Sequence, residues 1–108
     1  MSDQALLQAR PWLRHYQPGV PQTIAYPSRP VQHLLDDTVD RHPDRPAVTF
    51  FGRDITYREL RALANQFAGG LRGLGLQTGD RVSLHLPNCP QFVIAYYGTL
   101  KAGGVIVP

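Results

Sequence analysis

Residues 81–108 read RVSLHLPNCPQFVIAYYGTLKAGGVIVP, and this stretch decides the fold. Thr78-Gly79-Asp80 turns the chain into a strand over Arg81 to Leu86. Asn88 is set to cap a helix, with Gln91 three residues on completing a capping box and Pro90 tolerated in the first turn. That helix runs from Phe92 to Ala102, and Gly103-Gly104 ends it. Val105-Ile106-Val107 is a continuous β-branched run, the pattern of a strand buried on both faces of a parallel sheet. Strand, helix and strand in so short a span make a βαβ unit, which requires a parallel sheet and a right-handed crossover. The fold class is therefore α/β.

The charge pattern points the same way. After Arg81 the only charged side chain is Lys101, while fifteen of the 27 residues 82–108 are apolar or aromatic. A domain seldom ends on an uncovered buried strand. The chain is thus expected to be the front piece of a longer protein.

Upstream lies the clearest local signal. Thr56 and Glu59 form a capping box, with Ile55 and Leu60 placed for a hydrophobic staple. Tyr57, Leu60, Leu63, Ala64, Phe67, Ala68, Leu71 and Leu74 then recur at helical spacing until Gly73 and Gly75 end the helix. Before it, Ala47 to Phe51 reads as a strand and Gly52-Arg53-Asp54 as a tight turn returning into Ile55, a small hairpin. A short amphipathic helix is expected from Val31 to Arg41, with Val31, Leu34, Leu35, Thr38 and Val39 on one face and Asp36, Asp37 and Asp40 turned away. Pro43 stops it. Residues 1–30 are a lead arm: Pro11, Pro18, Pro21, Pro27 and Pro30 forbid long helices, and Trp12, Tyr16, Val20, Ile24 and Tyr26 between them are expected to pack on a neighbouring surface. Residues 31–108 are the first part of a larger α/β domain.

A chain of 108 residues holds at most one complete domain, and 43% hydrophobic against 18% charged residues is a globular composition. The net charge is +3, from ten Arg and one Lys against eight acids, but the cations are scattered and form no nucleic-acid stripe. The single cysteine permits neither an internal disulfide nor a multi-thiolate metal site, which suits a reducing compartment. Met1-Ser2-Asp3-Gln4 lacks the cationic start of a signal peptide, and Phe92 to Pro108 falls short of a membrane span. A cytoplasmic location is expected.

The groups with chemical potential each have a structural reading. Gly69-Gly70 with Gly73 and Gly75 closes a helix and lacks the Lys-Ser/Thr of a phosphate loop. His85 and Cys89 have no third group to orient a base, and the thiol reads as a small buried or half-buried group. His15, His33 and His42 have no metal-ligand spacing. Asp36 and Asp37, adjacent on a helix, diverge onto a solvated face. Thr78-Gly79-Asp80 is ordinary turn chemistry before a strand.

Several phrases nonetheless resemble the adenylate-forming (AMP-binding) superfamily. Ile55-Thr56-Tyr57-Arg58-Glu59-Leu60 is similar to its first core motif. Leu100-Lys101-Ala102-Gly103-Gly104-Val105-Ile106-Val107-Pro108 is similar to its second. Between them, Gly79-Asp80-Arg81-Val82, Leu86-Pro87-Asn88 and Gln91-Phe92-Val93-Ile94-Ala95-Tyr96-Tyr97-Gly98 follow in the family's order. The opening Arg10-Pro11-Trp12-Leu13, Tyr16 and Pro18-Gly19-Val20-Pro21 resembles that of bacterial long-chain fatty acid–CoA ligases.

The resemblance implies an incomplete N-terminal subdomain of the adenylate-forming fold. For the full-length protein it implies an ATP-dependent acid–thiol ligase that converts fatty acid, ATP and coenzyme A to acyl-CoA, AMP and pyrophosphate, with magnesium. The family's phosphate loop, aromatic-Thr-Glu segment, nucleotide-binding Thr-Gly-Asp, hinge and C-terminal lysine have no counterpart in residues 1–108. Thr78-Gly79-Asp80 precedes the phosphate loop in chain order, and Lys101 belongs to the second core motif. No catalytic, cofactor-binding or metal residue is therefore assigned here, and the fragment alone is expected to bind no cofactor and to be inactive. Fatty acid, ATP and coenzyme A are the expected partners, with no nucleic acid. Peripheral membrane association and a homodimer through the arm are further expectations. The alternatives are another adenylate-forming ligase (aryl or medium-chain acyl-CoA, or acyl-AMP) and a non-enzymatic binding or assembly module.

Overall fold

A computed structural model describes residues 1–108. The elements run α1 (Asp3–Ala9), a 3-10 turn (Pro11–His15), α2 (Gln32–Arg41), β1 (Pro46–Phe50), β2 (Arg53–Thr56), α3 (Tyr57–Gly73), β3 (Arg81–Ser83), α4 (Pro90–Ala102) and β4 (Val105–Val107). They form two small sheets: β1 and β2 pair antiparallel, β3 and β4 parallel. The βαβ unit is present as expected, with Arg81, Val82 and Ser83 opposite Val105, Ile106 and Val107.

The capping box of α3 is formed in both directions. The Glu59 N–H donates to Thr56 Oγ1 at 3.3 Å, and the Thr56 N–H donates to Glu59 Oε2 at 2.8 Å. At its far end the Leu76 N–H reaches back to the Leu71 carbonyl at 3.0 Å, with Gly75 at φ +95° between them. Helix α4 ends the same way: the Gly104 N–H donates to Thr99 O at 2.9 Å around Gly103 at φ +88°. Both are Schellman closures, in which a left-handed glycine lets the chain return over the last open carbonyls.

The core sits where α2, α3 and the hairpin meet. Leu35 and Val39 of α2 are buried against Leu60 and Ala64 of α3, flanked by Val48, Ile55, Val93 and Tyr97. Helices α3 and α4 then pack closely because their contact face is small. Leu60, Ala64 and Ala68 on α3 meet a buried stripe of Ala95, Gly98, Thr99 and Ala102 on α4. A Cβ at Gly98 would lie 2.7 Å from Phe67 Cδ1 and 2.9 Å from the Ala64 carbonyl oxygen, so only glycine fits that crossing.

Several expectations need correction. Asn88 does not cap α4: Cys89 is the N-cap, its side chain makes no capping bond, and the second capping box is absent. Pro90 takes the first helical position instead, where its missing N–H leaves one open donor fewer, and the Phe92 N–H donates to the Cys89 carbonyl at 3.0 Å. The hairpin turn is Phe51-Gly52, one position earlier than expected, with both residues at positive φ (+47° and +75°) and Phe50 opposite Arg53. Strand β3 spans only Arg81–Ser83, opposite Val105–Val107, and Leu84 makes the last bond, to Val107 O at 2.9 Å. Strand β4 is only half covered, with Val105 47% and Val107 42% exposed. In these 108 residues α4 packs against the strand pair and no further strand flanks it.

The lead arm contains more local structure than its prolines suggest. Ser2 caps α1 by accepting from the Ala5 N–H, and Arg10 in the left-handed region joins α1 to the 3-10 turn. No residue of either is buried. The arm aromatics, expected to pack on a surface, remain exposed on this chain: Trp12 and Tyr16 at 42%, Tyr26 at 81%.

Candidate functional site

The Thr78-Gly79-Asp80 triplet is fully engaged in a turn. Asp80 Oδ2 accepts from the Gln77 N–H at 2.8 Å, and the Asp80 N–H returns to Gln77 O at 3.0 Å. The Gly79 N–H donates to Gly103 O at 2.9 Å and Asp80 O accepts from the Val105 N–H at 2.7 Å. The triplet thus ties the entry of β3 to the entry of β4.

The three aspartates of α2 lie on its outward face as expected, Asp40 the most exposed at 69% and Asp36 the least at 31%. Each meets a cation from a different part of the chain. Asp37 takes two bonds from the Arg29 guanidinium, at 2.6 and 3.1 Å, and this hydrogen-bonding holds its carboxyl below the usual aspartate value. Asp40 pairs with Arg61 of α3 at 2.9 Å. Asp36 pairs with Lys101 Nζ of α4 at 2.7 Å, and there the ammonium is largely covered, at 14% exposure. Arg72 of α3 adds a bond to the Lys101 carbonyl at 2.6 Å. Residue types alone did not reveal this clamp. Its trace in the sequence is the isolation of Lys101: a single cation in an apolar stretch requires a carboxylate from elsewhere.

The remaining reactive groups stay apart. His85 is exposed beyond β3, and Cys89 is half-buried at the start of α4. His15 accepts from Arg14 Nε at 3.1 Å, and the His42 N–H closes α2 onto Thr38 O at 2.8 Å. No group of three or more His, Cys, Asp or Glu side chains gathers where it could hold a metal ion. Thr99 is fully buried with its hydroxyl unbonded.

The largest concavity is an open groove of about 700 Å³ where the hairpin, α3 and the start of α4 meet, lined by Phe50, Ile55, Leu63, Pro90 and Ile94. Its two carboxylates already have partners: Asp54 accepts from Thr49 Oγ1, and Glu59 belongs to the capping box. Two hydrogen bonds from Thr56, the backbone one foremost, keep the Glu59 carboxyl below its ordinary pKa. Burial raises the Tyr97 phenol above its usual value, away from physiological protonation changes. The groove offers apolar surface and no free acid–base pair.

The arrangement of hairpin, α3, α4 and the parallel strand pair is that of the N-terminal subdomain of adenylation enzymes. It superposes on an artificially fused adenylation-PCP di-domain, NpsA-ThdA from Klebsiella oxytoca, with a TM-score of 0.73 and 35% identity over 77% of this chain and 16% of that one. The isolated N-terminal subdomain of Klebsiella oxytoca NpsA, in complex with 3-hydroxyanthranilyl-AMSN, gives 0.72 at 35% identity over 74% of this chain and 21% of that one. Residues 35–108 match the AMP-binding enzyme family, and the chain belongs to it. Among curated relatives, the long-chain-fatty-acid–CoA ligase of Bacillus subtilis is 43% identical over 91% of this chain and 18% of its own length. Triostin synthetase I of Streptomyces triostinicus is 42% identical over 90% of this chain and 18% of its own. The chain spans less than a fifth of the length of these relatives. The lead arm does not separate the two, since both alignments extend well upstream of residue 35.

Proposed function

We propose that the chain is the N-terminal part of a long-chain fatty acid–CoA ligase acting in the cytoplasm. In that reaction a carboxylate oxygen attacks the α-phosphorus of ATP and pyrophosphate leaves. The coenzyme A thiol then attacks the acyl carbon of the adenylate, losing its proton, as the bond to AMP breaks. Both steps depend on positioned charge at the reacting phosphate, and nothing in residues 1–108 supplies it. The role of this stretch is to provide rigid elements beneath reactive loops carried elsewhere in the enzyme. The observation that carries the reading is the 43% identity to a long-chain-fatty-acid–CoA ligase across 91% of the chain.

The NpsA likeness favours a second reading, an aryl-acid adenylating enzyme. One experiment separates them: pyrophosphate release by the full-length enzyme that carries this chain is followed with palmitate and with anthranilate. Palmitate-dependent release with acyl-CoA formation supports the first reading; anthranilate-dependent release supports the second. Thioester formation by the 108-residue chain alone would overturn the assignment of a supporting role.

A further inference from the structure

We propose that the hairpin tip is a self-docking surface, in which Phe51 of each copy of this chain enters the groove beside the tip of a second copy. Phe51 is 90% exposed and sits at φ +47°, backbone that a bulky side chain adopts only under strain. Among the exposed large apolar residues it alone is left-handed. Strain held at a surface position points to a use for the side chain that stands there. The groove of about 700 Å³ begins at the tip itself: Phe50 lines it, and the Phe50 and Phe51 rings stand 4.5 Å apart, edge to face.

A projecting ring and a hollow for it thus share one rim, and a two-fold axis through that rim lets each copy fill the other. The charges suit the same pairing. Arg53 lines the groove and makes no ion pair within the chain. Glu59, also on the lining, uses only Oε2 in the capping box and leaves Oε1 free. On two facing copies Arg53 of one meets Glu59 of the other, the complementarity that fixes register in a closed dimer. Leu74 and Arg81 make a second apolar and cationic patch, around a smaller hollow of about 380 Å³. Leu74 there has ordinary right-handed backbone, φ −80°, and Asp80 beside it is spent on the Gln77 turn. A dimer through the tip is independent of which acid the enzyme activates.

The full-length enzyme that carries this chain is sedimented over a range of concentrations, as wild type and as variants. A reversible monomer–dimer equilibrium is expected. Phe51→Asn, which suits a left-handed turn position, should weaken the dimer by about tenfold or more. Leu74→Ser, which removes an equally exposed apolar side chain elsewhere, should leave it unchanged. Arg53→Gln should weaken it, and so should Glu59→Gln, which keeps a capping-box side chain in place. The double variant should lose little more than either single one, because the two side chains form one contact. Four results would overturn the proposal: a monomer at every concentration, a dimer that survives Phe51→Asn, a dimer weakened equally by Leu74→Ser, or additive losses at Arg53 and Glu59. The first would mark the rest of the polypeptide as what covers the groove, and the second would assign dimerisation to another face.

Discussion

Two residues hold backbone or space that their neighbours dictate. At Gly98 the α3 surface leaves no room for a Cβ, so Gly98→Ala should cost about 1–3 kcal/mol through forced separation of the helices. Gly69 is helical with nothing within 4 Å of its would-be Cβ; Gly69→Ala should instead add roughly 0.5–1 kcal/mol from helix propensity. Urea unfolding of the two variants side by side checks the opposite signs. Phe51 is the converse case, a bulky residue at φ +47° and 90% exposed, at a position where hairpin turns favour Asn or Gly. Phe51→Asn should raise the urea midpoint, and a lower midpoint would refute the steric account. Neither constraint was visible in the sequence. The glycine run drew attention to Gly69, Gly70, Gly73 and Gly75, while the glycine in tightest contact stood alone inside an apolar helix.

Elements were more legible than their joints. The capping box at Thr56 and the apolar period through Leu74 defined α3, because those signals are local and the structure satisfies them locally. The start of α4 was misread because two signals overlap there, and proline at the first helical position displaced the Asn88 cap. Pairings between elements were illegible for a different reason: Asp36 and Lys101 are 65 residues apart, and neither residue type names its partner. That pair is half-shielded from solvent, so removing one member should cost on the order of 1–3 kcal/mol, between the exposed and buried limits. Lys101→Met should therefore destabilise more than the Lys101→Met, Asp36→Leu double variant, and a double-mutant cycle in urea measures the difference. The α3 cap carries a pH signature. The Glu59 carboxyl titrates lower in the folded chain than its ordinary value of 4.5, so its contribution is complete above that value and disappears as pH falls through the lower folded one. Thermal scans of the wild type and Glu59→Gln should separate near neutrality and converge in acid.

The whole molecule is open. Its radius of gyration is 18.8 Å, against about 13 Å for a compact chain of this length. Its accessible surface is 8258 Å², where about 6,000 Å² is expected for a folded monomer of this mass. Only 12 of 108 residues are buried. A chain of this kind should bind an apolar-surface dye strongly and sediment with a concentration-dependent mass. A sharp melt from a monomer that leaves the dye dark would instead identify a self-sufficient module. The sequence made this outcome legible at one place, the β-branched run after Gly104, whose Val105 and Val107 the rest of these residues leave half-exposed.

The bonds from Gly79 to Gly103 and from Val105 to Asp80 have a consequence for alignment. They fasten the two parallel strands at their starting points, before either has extended. Sliding β4 by a single residue would break both fasteners and turn Ile106 to the opposite side of the ribbon. The strand pair therefore has its phase set by two turns, and any further strand laid alongside it would inherit that phase.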